Sequence, residues 1–139
     1  MTGVLLLEYT ELIADTSNEN IEVVELDLGS KKECGKCVGN IIFLNKEMNV
    51  IQKKCILAEE LGHFYTTVGD ISGLKNVISL KEEQRARRWG YKKLIPLYEL
   101  KKAYEKGLKY DYEIAEELGV TITFLKNTIE YYKCKGINL

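Results

Sequence analysis

Residues 55–66 read CILAEELGHFYT, and the fold turns on how this stretch is read. Ile51, Cys55, Leu57, Ala58, Leu61 and Phe64 recur at the spacing of one apolar helical face, which predicts a long helix. On that helix Glu59 and His63 leave the same side one turn apart, with Glu60 beside them. The pentad AEELG returns at 115–119, where Val120 follows in place of a histidine. Upstream, NIIFLN (40–45) has the composition of a strand. Asn45 then stands in a helix-capping position, with Glu47 in the first turn.

Working outward, IEVVELDLG (21–29) alternates well enough to be a strand closed by Gly29. Between the strands, KKECGKCV (31–38) has a Gly35-Lys36 centre that suits a hairpin. VLLLEYTELIA (4–14) carries apolar residues at helical spacing, and Asp15 to Asn20 reads as a polar break. The chain breaks again at TTVGDISGLKN (66–76). Ser79 opens another helix, with Glu82 placed for a capping box, and it runs to Pro96, the only proline. The helix resumes beyond Pro96 and stops at Gly107. Asp111 opens a short helix and Thr121 caps a last one. The order is helix, small sheet, then helices only. It predicts an α+β body over residues 1–106 and a C-terminal helical element over 107–139.

The chain has 139 residues, 45% of them hydrophobic and 29% charged, with a formal net charge of −1. That suits one soluble domain able to fold without disulfides or metal. Near neutrality gives no general attraction to nucleic acid or an anionic membrane. GVLLLEY is too short for a signal peptide's apolar stretch, and no apolar run approaches the ~20 residues of a membrane helix. A cytoplasmic protein is expected. Of four cysteines, Cys34 and Cys37 form a C-x-x-C while Cys55 and Cys134 stand alone, so no second pair completes a zinc ribbon. A plain hairpin is favoured over metal or redox chemistry there.

The spacing of Glu59, Glu60 and His63 is that of H-E-x-x-H with a glutamate in the first ligand place. A carboxylate binds zinc at nearly the distance an imidazole does, so Glu59 and His63 remain candidate ligands and Glu60 a candidate general base. The exchange makes the donor set harder and more anionic, shifting preference from zinc toward manganese or iron. The bland alternative is a solvated acidic face with His63 favoured at the helix end by the dipole.

IIFLN at 41–45, LAEELGH at 57–63 and ARRWGYKKLIP at 86–96 occur in that order, and together they resemble the ImmA/IrrE family of metallopeptidases. The resemblance implies a zincin-like fold and a zinc endopeptidase. It implies as substrate a helix-turn-helix repressor of a phage or mobile element. Glu60 would be the base and His63 a ligand. Glu59 takes the place of the first ligand histidine, and Arg85 that of the third ligand, a glutamate. Glu82, Glu83 and Asp70 are the candidates to replace that third ligand. Each also reads as a local device: a capping acid, a first-turn acid and a turn residue. Arg85 lying against Glu59 as an ion pair would instead leave a pseudo-peptidase that binds and regulates a repressor or other partner. The family often carries a helix-turn-helix after the peptidase part. DYEIAEELGVTITFLKNTIEYYK (111–133) matches one, with Ala115 and Gly119 in the small places and Ile114, Leu118, Val120 and Leu125 in the apolar ones. Its second helix offers only Lys126, Asn127 and Lys133 beside Glu130, which favours packing or protein docking over DNA reading.

Overall fold

The computed structural model describes residues 8–28, 34–66 and 80–139. Among these residues, six helices and three strands run in the order α1 (Tyr9–Ser17), β1 (Glu22–Leu26), β2 (Gly35–Val38), β3 (Ile41–Asn45), α2 (Val50–Thr66), α3 (Leu80–Leu94), α4 (Leu97–Glu105), α5 (Asp111–Leu118) and α6 (Ile122–Cys134). The fold is a mostly helical α+β arrangement with a three-stranded mixed sheet. No helix among the described residues is long and apolar enough to cross a membrane.

β3 lies at the centre of the sheet, parallel to β1 and antiparallel to β2. Ile42 and Leu44 point from it into the core, at 0% and 1% exposure, where α2 covers the sheet. The β2–β3 hairpin exists, but its turn is not at Gly35-Lys36. Val38 pairs with Ile41, so Gly39 and Asn40 form a two-residue turn, and Gly39 supplies the positive φ it needs. Gly35 belongs instead to the strand, where a Cβ would stand 2.7 Å from the Ile56 side chain on α2. Cys34 and Cys37 lie three residues apart along extended chain, about 10 Å, beyond the reach of a disulfide. The C-x-x-C is part of a hairpin.

Two helix boundaries differ from expectation. α1 continues through Asp15 to Ser17, because the Thr16 hydroxyl donates to the Ile13 carbonyl at 2.6 Å and Thr16 is buried. α2 begins at Val50 rather than after Asn45. Asn45 is the last paired residue of β3, and its side chain accepts from the Glu47 amide at 3.1 Å in a turn, which places Glu47 outside the helix. The cap is Asn49, which exchanges reciprocal bonds with Gln52 at 2.8 and 3.0 Å. Within α2, Ile51 is 38% exposed while Lys54 is 3% exposed. The cause is tertiary: the α5–α6 turn sits over this part of α2, and a Cβ on Gly119 would stand 3.0 Å from the Lys54 Nζ. Burial pushes the Lys54 amine down from its ordinary value. Gly29, Ser79, Asp70 and most of the 66–76 break lie outside the described residues.

The C-terminal helices behave as the pattern requires. Thr121 caps α6 by accepting from the Phe124 amide at 3.1 Å, and Gly119 ends α5 in the left-handed conformation at φ 68°. Ile114, Ala115, Leu118, Val120, Phe124 and Leu125 join the same core as Leu57, Leu61 and Ile95. Tyr132 donates to the Ile95 carbonyl at 2.8 Å, tying α6 to the segment before Pro96.

α2 and α3 approach through small residues. A Cβ on Gly62 would lie 2.0 Å from the Ala86 carbonyl oxygen, and one on Gly90 3.3 Å from that of Ala58. Gly62→Ala is expected to cost about 2–3 kcal/mol, the upper range for overpacking, because the obstacle is backbone. Gly90→Ala should cost about 1 kcal/mol or less, since a few tenths of an ångström relieve it. Thermal denaturation of the two variants checks this: a midpoint for Gly62→Ala within 2 °C of wild type, on the order of a 0.5 kcal/mol change, would contradict the close contact.

Candidate functional site

The α2–α3 contact line brings one flank of each helix together. From α2 come Glu59 and His63, one turn apart, and from α3 come Glu83, Arg87 and Tyr91, each four residues after the last. The His63 Nε2 lies 3.3 Å from the Glu83 Oε1. The other oxygen of Glu83 accepts from the Arg87 Nε at 3.1 Å. His63 is well covered, its side chain 16% exposed, whereas that of Arg87 is 50% exposed. Burial raises the Glu59 carboxyl above its ordinary value; the Arg87 guanidinium pulls it down and the Glu83 carboxylate pushes it up. Glu59, Glu83 and Arg87 therefore act on one another electrically. Beneath them Tyr91 is buried, packed edge-on against Phe124 of α6 at 5.5 Å between ring centres.

Glu60 is half-buried on α2. Burial raises the Cys37 thiol to about 11, and the charge of Glu60 adds to that rise. The candidate base adjoins Glu59 in sequence, and its charge is felt at Cys37 of β2.

Among the described candidates for a third acid, Glu83 lies against His63. Its neighbour Glu82 is half-buried, and Asp70 lies outside the described residues. Arg85 is exposed, and the guanidinium that acts on Glu59 belongs to Arg87 instead. Reading the chain alone missed Arg87. The available signal was its spacing of four from Glu83, which places acid and base on one helical face.

A catalytic zinc takes three protein ligands and keeps one position open. Among the described residues no three His, Cys, Asp or Glu side chains converge in that way. The imidazole and one carboxylate are together, but Arg87 already neutralises Glu83 and draws on Glu59. The described residues alone do not make up a three-ligand zinc centre.

Comparison with known proteins gives a family and a fold. The model of the IrrE N-terminal-like domain, peptidase family M78, matches residues 16–130. No curated protein matches the chain. A solved structure, a Mycobacterium tuberculosis transcriptional regulator, is similar with a TM-score of 0.66 at 14% identity. The likeness covers 84% of this chain and 38% of that one, so this chain spans less than half the regulator's length. At that identity it shows the fold alone. Matched over most of its length, the chain belongs to the IrrE N-terminal-like domain family of M78 peptidases, which are zinc-dependent in general.

Proposed function

We propose that this chain uses a peptidase fold to hold a protein partner without hydrolysing it, the partner being a helix-turn-helix repressor of a phage or mobile element. One observation carries the reading. The Arg87 guanidinium is paired with Glu83 where His63 and Glu59 point, so the cluster holds its own cation. The ion that the family places there would have to displace it. The choice of a repressor rests on the family resemblance. DNA is not part of the proposal: α6 exposes Lys126, Asn127, Glu130 and Lys133, a mixed set with few phosphate partners.

A hydrolytic reading is favoured by one distance. Two ligands at zinc's bond lengths and a tetrahedral angle stand roughly 3.4 Å apart, and the His63 Nε2 and Glu83 Oε1 are 3.3 Å apart. In that reading Glu59, His63 and Glu83 are the ligands, for zinc or, with two carboxylates, manganese or iron. Glu60 is then the base.

Metal analysis separates the two. Purified without a histidine tag or chelator and soaked in zinc, the wild type is expected to hold far less than one ion per chain. Arg87→Ala, with its acids released, should bind zinc more tightly than wild type. Near one ion per wild-type chain, lost in His63→Ala, would establish the hydrolytic reading instead.

A repressor-controlled reporter in cells provides the functional test. Glu60→Gln should derepress as well as wild type if binding suffices, and a silent Glu60→Gln variant of normal abundance would mean hydrolysis.

Stability against pH provides a third test. Because burial raises the Glu59 pKa in the folded state, the native chain binds more protons than the unfolded one above pH 4.5. Stability therefore falls as pH rises from the unfolded value through the folded one. Glu59→Gln should raise the melting midpoint at pH 7 and lose that advantage as pH drops toward 4.5. A lower midpoint at pH 7 would point to an ion held by Glu59.

A further inference from the structure

On the other flank of the α2–α3 contact line a cavity of about 410 Å³ opens toward α1. That is the size of a pocket that encloses a small ligand or a side chain with its neighbours. Its floor is Leu12 and Leu61; its aromatic wall is Tyr65 and Trp89, with ring centres 5.0 Å apart and planes tilted by 30°. Asp15 in the last turn of α1 and Glu19 in the turn that follows the helix supply two carboxylates. Lys93, one turn after Trp89, is the only basic lining residue among those described and is exposed at the mouth.

The lining charges do not cancel one another. Among the described residues Lys93 forms no ion pair with either acid. The Tyr65 hydroxyl donates to Glu19, which occupies part of one carboxylate and leaves the rest able to accept. Burial lifts the Tyr65 hydroxyl to about 12, with the fields of Glu19 and then Asp15 adding to it, so both acids reach this wall. An electron-rich aromatic wall beside two carboxylates selects a flat, delocalised cation able to stack and to accept the carboxylate fork.

We infer that this cavity receives an arginine side chain presented by a polypeptide, stacked on Tyr65 and Trp89 and paired with Asp15 and Glu19. Lys93 at the mouth is then placed for the carbonyl groups of the chain that carries the arginine. Trp89 and Lys93 lie on a different face of α3 from Glu83 and Arg87, so the inference stands whether the partner is cleaved or only held.

Trp89 is the only tryptophan in the chain, so its fluorescence reports on this cavity alone. The full chain is titrated with a short blocked peptide, glycyl-arginyl-glycine, and with the same peptide carrying citrulline, which keeps the shape and loses the charge. The expected result is a saturable change in Trp89 emission with the arginine peptide and none with citrulline. Asp15→Asn/Glu19→Gln should weaken binding about tenfold, the effect of two exposed charge contacts together. Both residues are exposed, Asp15 on α1 and Glu19 in the turn that follows it, and an unchanged far-ultraviolet circular dichroism spectrum establishes that the variant is folded. An equal response to citrulline, undiminished binding by the double variant, or no response to arginine overturns the inference.

Discussion

The approach of Gly62 to Ala86 is the constraint on which the rest of the molecule depends. With a backbone carbonyl in the space a side chain would fill, α2 and α3 have one register in which they can lie this close. That register decides which residues of α3 flank α2. On one side it sets Glu83 and Arg87 beside Glu59 and His63. On the other it sets Trp89 beside Tyr65. A bulkier pair would separate the helices, and both flanks would lose their partners together.

The same constraint explains why AEELG occurs twice with different outcomes. In both copies the alanine and leucine are buried: Ala58 and Leu61 in α2, Ala115 and Leu118 in α5. The glycines do different work. Gly62 stays in a continuing helix because it must admit the α3 backbone, whereas Gly119 takes a left-handed conformation and stops α5. The residue after each glycine differs accordingly. His63 lies on the flank facing Glu83, and Val120 is buried in the core behind the turn. The repeat is one helix-favouring phrase used in two environments.

Much of this was legible because it depends on local spacing. The proximity of Glu59 and His63 follows from helical geometry alone, and the Thr121 cap and the Gly119 stop follow from local backbone chemistry. The illegible part depends on contacts between distant segments. Glu83 could be named only as one of three acids, because the α2–α3 register selects it. Lys54 was not expected inside, because an isolated α2 would expose it; the α5–α6 turn buries it instead. The cap at Asn49 was readable in N-x-x-Q but was overshadowed by Asn45, whose strand pairing takes it out of competition.

The charge at the cluster bears on how far the chain has moved from its family's chemistry. Replacing a neutral imidazole by Glu59 in a half-buried place adds a negative charge that water can solvate only in part, and the raised carboxyl pKa reflects that cost. A divalent ion would neutralise Glu59 and Glu83 together; so, in part, does Arg87. A cation on a neighbouring helical turn is always present, whereas an ion must be captured from solution against a guanidinium already in place. Arg87 lessens the cost of the charge on Glu59 by the pull of its guanidinium, although burial still outweighs it. Glu59, Glu83 and Arg87 thus support one another electrically, and the α2–α3 register that brings them together is the same one that sets Trp89 beside Tyr65 on the opposite flank.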